Sequence, residues 1–271
     1  MSQHVFGEHS KNFDGQYALI LGASSGFGEA TALELARSGF NIIGVHMDRK
    51  AGMAHVEEIT KKITDLGRKA HFINMNAADA EKRADAITQM KAFAQGKIHV
   101  LLHSIAFGAL KPFIDEDPKA VLTKAQFDMT LDVMANSLVY WTQDLVAAGL
   151  LADGGRIFAM TSAGSSRVWK SYGAVSAAKC ALESYCRQLA LELAPRRITA
   201  NAILAGVTDT PALRKIPGND TMIETAKSRN PFGRLTTPED VAKAISAFAL
   251  PHFDFMTGNV LHIDGGENVV D

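Results

Sequence analysis

The stretch "YALILGASSGFGEATALELARSG" (residues 17–39) decides the fold. Its first residues are apolar and alternate nothing, as in a strand covered on both faces. Its last dozen carry apolar residues at helical spacing, and Gly39 follows as a stop. Between them, Gly22, Gly26 and Gly28 stand as GxxxGxG. Glycine lets a backbone turn tightly and approach a phosphate, and a following helix offers its free N–H groups to negative charge. Coming after the first strand of a β-α-β pattern, this turn predicts a dinucleotide site, with Ser24, Ser25 and Phe27 lining it between the glycines.

Working outward, the same alternation continues. Strand-like runs occur at "NIIGVHM" (41–47), "AHFINM" (70–75), "IHVLLHSI" (98–105), "RIFAMTS" (156–162), "ITANAIL" (198–204) and "NVLHID" (259–264). Helical patterns such as "VEEITKKITDLG" (56–67) separate them. Apolar strands divided by helices predict an α/β fold, a doubly wound parallel sheet of seven strands. No linker or low-complexity tract interrupts residues 1–271, so one domain is expected, with residues 1–13 as an N-terminal extension. The alternation breaks between 208 and 234, where Pro211, Pro217, Pro231 and "PGN" interrupt two short helical patterns. That segment follows the carboxyl end of a strand, where open α/β sheets bind ligands, so it is expected to form a helical substrate lid.

Bulk composition narrows the partners. At 271 residues, 47% hydrophobic and 21% charged, the chain can bury a large core. A net charge of −1 supplies no long-range field for nucleic acid or an anionic membrane surface. No run of 18 apolar residues occurs and the first residues lack the apolar core of an export signal, which predicts a cytoplasmic protein without membrane insertion. The two cysteines, Cys180 and Cys186, sit on one predicted helix and read as reduced. His4, His9 and His103 have no ligand spacing, so no metal is expected.

The chemically distinctive stretch is "SYGAVSAAK" (171–179). Seven residues of helix turn through about 700°, bringing Lys179 to within roughly 20° of the face of Tyr172 and about 10 Å along the axis. A phenol and an ammonium thus share one face.

These motifs, with "MTGNVLHIDGG" (256–266), resemble the short-chain dehydrogenase/reductase family from residue 13 onward. Most members place the lysine four residues after the tyrosine, where this chain has Ser176. The wider spacing, and "HSIAFG" (103–108) in place of an Asn-Asn-Ala-Gly run, resemble the enoyl-acyl-carrier-protein reductases of bacterial fatty-acid synthesis. "TDTPALRKIPGNDTMIETAKSRNPFGRL" (208–235) is most similar to their type III enzymes.

The resemblance implies roles residue by residue. Lys179 would hold the nicotinamide ribose and favour the tyrosinate form of Tyr172, which would act on the substrate oxygen; Ser162 would hydrogen-bond the carbonyl. Asn76 and Ala77 would meet the adenine, Ser104, Ile105 and Ala106 the ribose and nicotinamide, and Ala205, Gly206, Val207 and Thr210 the carboxamide and pyrophosphate. The asparagine of ketone-reducing members aligns with Met134, and Asn136 lies off that face. Asp48 suits the ribose hydroxyls of NADH, whereas Arg49 and Lys50 suit the extra phosphate of NADPH, the expected cofactor with NADH possible. Phe107, Leu213 and Ile216 would contact substrate, while Arg214, Lys215, Lys227, Arg229 and Arg234 would meet an acidic carrier protein or form a solvated face.

The expected activity is NAD(P)H-dependent reduction of a trans-2-enoyl thioester, carried by acyl carrier protein or as enoyl-CoA, by a homotetramer. Conjugate addition puts the developing charge two atoms beyond the carbon that accepts hydride, which suits a tyrosine set farther from the lysine. The alternatives are a ketone or alcohol oxidoreductase of the same fold, such as a β-ketoacyl reductase, and a non-catalytic nucleotide-binding scaffold.

Overall fold

The structure, a computed structural model, describes residues 13–94 and 96–270, so the expected N-terminal extension lies, Phe13 apart, outside the described residues. Seven parallel strands form one sheet: β1 (Tyr17–Leu21), β2 (Asn41–His46), β3 (Ala70–Asn74), β4 (Ile98–His103), β5 (Leu151–Thr161), β6 (Thr199–Ala205) and β7 (Val260–Ile263). Their order is β3-β2-β1-β4-β5-β6-β7. Winding reverses between β1 and β4, which opens a crevice at their carboxyl ends.

Three helices cover one face: α1 (Gly26–Arg37), α2 (Met53–Asp65) and α8 (Pro238–Phe248). Leu35, Ile59, Ile63, Val241 and Ile245 meet Ile20, Ile42 and Phe158 there. The other face takes α3 (Ala80–Phe93), α4 (Lys124–Leu131), α5 (Ser137–Ala147) and α6 (Gly173–Glu192). Met90, Trp141, Ala178 and Leu182 pack there on Leu19, Leu101 and Ile157. Every residue of β1 and β2 is buried. Each fully buried Leu or Ile contributes about 1.5–3 kcal/mol, so apolar strands settle between two helical layers and not at one exposed face.

Sequence signals set the helix starts. Thr123 with Gln126 and Thr237 with Asp240 form capping boxes for α4 and α8, satisfying donors that a helix leaves free at its first turn. The fifth strand begins at Leu151, five residues before the run that marks it in the sequence. Its glycines, Gly154 and Gly155, disguise the strand, and the β4 register shifts between Ile98 and Val100 to accommodate it.

A π-helical turn, Asp132–Asn136, joins α4 to α5. Between β6 and α8, the segment expected as a lid contains a short turn, Leu213–Lys215, and helix α7 (Asn219–Arg229). No helix among the described residues is long and apolar enough to cross a membrane.

Candidate active site

A cavity of about 720 Å³ opens at the carboxyl ends of β1, β4, β5 and β6, on the side of the crevice where winding reverses. Its walls are the glycine turn, the "HSIAFG" stretch, the Tyr172–Lys179 helix start and the 208–234 segment.

The glycine turn is fitted to a close neighbour on each side. Gly22 has φ +88°, and a Cβ there would run into the Ser104 carbonyl, so the turn and the β4 loop touch backbone to backbone. Gly26 has φ +54° and leaves Thr210 just room to approach from the β6 loop. Ser25 caps α1 without a side-chain hydrogen bond, which leaves the first N–H groups of the helix free beside Ser24, Gly26 and Phe27. An uncapped helix terminus facing a cavity, with no side chain filling the turn, fits a nucleotide pyrophosphate. Gly28, expected to touch cofactor, is not in the lining. A Cβ at Gly28 would strike the Gly22 carbonyl, so this glycine seats α1 against its own turn.

At the end near β2, His46 and Met47 line the cavity. His46 Nδ1 lies 2.9 Å from Asp48 Oδ2. Burial alone raises the Asp48 carboxyl, yet hydrogen bonds from Ser24 and His46 outweigh it and hold the group below its ordinary value. Arg49 and Lys50 are exposed and outside the cavity lining, because the chain turns outward after Met47 into a short 3₁₀ turn, Lys50–Gly52. Asn76 and Ala77 do line it, and Trp141 Nε1 donates to the Ala77 carbonyl at 2.9 Å, fixing that loop from below.

Tyr172, Ser162 and Lys179 converge. Tyr172 stands at the N-cap of α6 rather than inside it, with φ −97° and ψ 0°, after Ser171 in a left-handed conformation at φ +63°. Its hydroxyl lies 3.4 Å from Ser162 Oγ at the end of β5. A Cβ on Gly164 would fall 2.5 Å from the Tyr172 ring, so the glycine makes room for the phenol. Ser176, in the position where most members carry lysine, donates instead to the Gly164 carbonyl and ties that loop to the helix.

Lys179 Nζ donates to the Met160 carbonyl at 2.7 Å. Burial draws the Lys179 ammonium down to about 8, opposed by Glu183. The expected stabilisation of tyrosinate by Lys179 is not what the structure shows. Burial raises the Tyr172 phenol above its ordinary value, only partly offset by Ser162, and the lysine head is turned to Met160. Tyr172 is therefore a protonated acid.

His103, fully buried, lies beneath this group. Ser137 donates to the Val133 carbonyl at 2.8 Å, so its oxygen accepts from His103 Nε2, also at 2.8 Å. His103 Nδ1 is then an acceptor without a protein partner. Burial, reinforced by the Lys179 charge, pushes the ring down to about 3, and it is neutral at pH 7. The π-helical turn places buried Met134 in the cavity wall and turns Asn136 away, where it accepts from Tyr185 at 2.8 Å.

Ser104, Ile105, Ala106, Phe107, Ala205, Gly206, Val207, Thr210, Leu213 and Ile216 all line the cavity, as their sequence roles require. The lid cations divide. Arg214 is spent on Asp209 (2.6 Å) and Asp220 (3.1 Å), and Arg234 on Asp240 (2.6 Å), because acidic residues near in sequence fold back on them. Lys215 and Arg229 line the cavity. Sequence reasoning missed Arg167, Trp169 and Glu267, which also line it. Glu267 Oε2 accepts from the Val207 N–H at 3.0 Å and sits buried, which raises its pKa; its only sequence signal is its place just after "DGG". Among the described residues no group of His, Cys, Asp and Glu could hold a metal ion.

Residues 22–268 match the family described as Enoyl-(Acyl carrier protein) reductase. The chain is 28% identical over 259 residues to 1-cyclohexenylcarbonyl-CoA reductase of Streptomyces collinus, covering 94% of this chain and 88% of the relative. It is equally 28% identical, over 254 residues, to a 3-oxoacyl-[acyl-carrier-protein] reductase of Thermotoga maritima, covering 93% and 98%. Among solved structures, enoyl-[acyl-carrier-protein] reductase (NADH) of Aquifex aeolicus superposes with a TM-score of 0.84 at 25% identity, covering 95% of this chain and 98% of that one.

Proposed function

The chain belongs to the short-chain dehydrogenase/reductase family, and from that premise we propose that it is an NADPH-dependent enoyl-thioester reductase acting on chains borne by acyl carrier protein or coenzyme A. It is an oxidoreductase with an NAD(P)-binding fold. When bound, the nicotinamide cofactor supplies hydride to the β-carbon of the enoyl chain.

The observation that carries the finer reading is the placement of Tyr172 at the edge of α6, two helical turns before Lys179. Lys179, anchored on the Met160 carbonyl, is set to hold the nicotinamide ribose. Tyr172, protonated and facing the cavity beyond it, donates to the thioester oxygen as enolate charge develops there. Ser162, 3.4 Å from that phenol, orients it. Val175, Leu213, Ile216 and Met222 give the acyl chain an apolar wall and exclude water from the enolate. The 208–234 segment serves as the lid over that chain. The Streptomyces relative, named for a conjugated alkenyl thioester, is consistent with this chemistry.

Carbonyl reduction is the second reading, favoured by the Ser162–Tyr172 contact and by the 3-oxoacyl reductase likeness. Following NADPH oxidation with crotonyl thioesters, β-ketoacyl thioesters and simple ketones separates the two. Turnover of only the carbonyl compounds overturns the enoyl assignment. Running NADH alongside, with Arg49→Ala/Lys50→Ala, tests the cofactor: the variant should weaken NADPH about tenfold and leave NADH unchanged.

A further inference from the structure

The mouth of the cavity carries more positive charge than the reaction at its floor uses. Apart from Lys179, the charged residues lining it are Arg167, Lys215, Arg229 and Glu267. Arg167 comes from the loop after β5, Lys215 from the turn before α7, and Arg229 from the last turn of α7. Two of the three are held in place by one C-terminal stretch. Arg167 Nη2 donates to the Asn268 carbonyl at 3.2 Å, and Arg229 donates through Nε at 3.1 Å, and through Nη2, to the Val270 carbonyl. Neutral carbonyls position a guanidinium without discharging it. Neither arginine, nor Lys215, forms an ion pair among the described residues, whereas their neighbours Arg214 and Arg234 do. The single carboxylate in the lining, Glu267, is buried and occupied by the Val207 N–H.

Fixed, uncompensated guanidiniums at an entrance match a phosphate, which their planar forks meet through paired hydrogen bonds. The cofactor phosphates belong at the glycine turn, where α1 presents its free N–H groups. We infer that Arg167, Arg229 and Lys215 form a receptor for the phosphate ester at the far end of the pantetheine arm that delivers the thioester. The inference rests on the enoyl-thioester reading. It assigns the cations a chemical group that acyl carrier protein and coenzyme A share, since both attach the arm through phosphate. Tethering both guanidiniums to backbone before substrate arrives lowers the ordering cost of binding.

The test compares crotonyl-CoA and crotonyl-acyl-carrier-protein with crotonyl-pantetheine, which keeps the arm and lacks the phosphate, at saturating NADPH. The wild type should lose about tenfold or more in kcat/KM, through KM, without the phosphate. Arg167→Gln/Arg229→Gln should bring both phosphorylated substrates down to the level of crotonyl-pantetheine, and a thermal melt checks that the variant is folded. Equal kcat/KM for phosphorylated and unphosphorylated substrates in the wild type overturns the receptor. So does a variant that weakens only the carrier-protein substrate, because the cations then read the carrier's acidic surface, or one whose main defect is in the KM for NADPH. Absence of turnover with every thioester defeats the enoyl reading instead. The receptor is then decided by calorimetry, where equal binding of 4′-phosphopantetheine and pantetheine overturns it.

Discussion

The indole Nε1 of Trp169 donates a hydrogen bond to the Pro217 carbonyl at 3.0 Å, joining the loop after β5 to the turn that leads into α7. Close approach is possible because Gly218, at φ +77°, presents no side chain to the indole edge. The carbonyl of the same Trp169 accepts the Tyr172 N–H at 3.1 Å. One residue therefore links the acid to the segment over the acyl chain. Trp169→Phe keeps an aromatic ring and removes the donor. A neutral hydrogen bond is worth about 1 kcal/mol, so the KM for crotonyl thioester should rise about fivefold with that for NADPH unchanged. An unchanged KM for both substrates would show that this bond does not steady the lid.

Gly164 supplies a second control on the acid. A methyl group there would fall 2.5 Å from the Tyr172 ring, closer than two carbons can lie, and the ring cannot bend. Gly164→Ala should displace the phenol from Ser162 and lower kcat about 10²-fold, the cost of roughly 1 Å of misplacement. Fluorescence titration with NADPH should give wild-type affinity. Wild-type turnover in this variant would mean that the phenol need not occupy its observed position.

Much of this was legible in advance, for identifiable reasons. Apolar runs such as "YALILG" mark buried parallel strands without ambiguity, and Gly22 and Gly26 serve the backbone contacts their spacing implies. What the spacing does not encode is which glycine faces a ligand: Gly28 is demanded by helix packing on Gly22. Local periodicity also carries no trace of direction in a fold. Arg49 and Lys50 follow a strand that ends at the cavity and still point outward, while Arg167 and Trp169, in a loop without periodicity, line it. The position of Tyr172 at a helix cap, and not within a helix, likewise depends on Ser171 adopting φ +63°, for which serine gives no signal.

The two polar groups at the floor separate in pH. Burial raises the Tyr172 phenol and draws the Lys179 ammonium down to about 8. As pH rises, the lysine loses its proton first while the tyrosine keeps its own. The KM for NADPH should therefore increase above about pH 8, as the charge that holds the ribose is lost. Tyr172→Phe should lower kcat about 10²–10⁴-fold without moving that limb. If the limb vanishes in Tyr172→Phe, the phenol and not the ammonium is the group that titrates.

Acid should unfold the protein through two histidines remote from any carboxylate partner. Burial pushes His99 down to about 4, with the Arg156 charge adding to the effect, and His103 to about 3 for the reasons given by its neighbours Lys179 and Ser137. In the unfolded chain both return to an ordinary value near 6.5. Between that value and the folded ones the unfolded state binds more protons, so stability is complete above about pH 6.5 and falls as pH drops through the folded values. Each histidine contributes a slope of up to about 1.4 kcal/mol per pH unit, and the two act on opposite sides of β4 and so should add. Urea denaturation midpoints measured from pH 7 to 4.5 should decline steeply. His103→Gln, which retains a neutral donor for Ser137 and cannot titrate, should remove about half of that slope even if it lowers stability at pH 7. An undiminished slope in this variant would mean that His103 is not protonated on unfolding, and that its burial contributes nothing to the acid sensitivity.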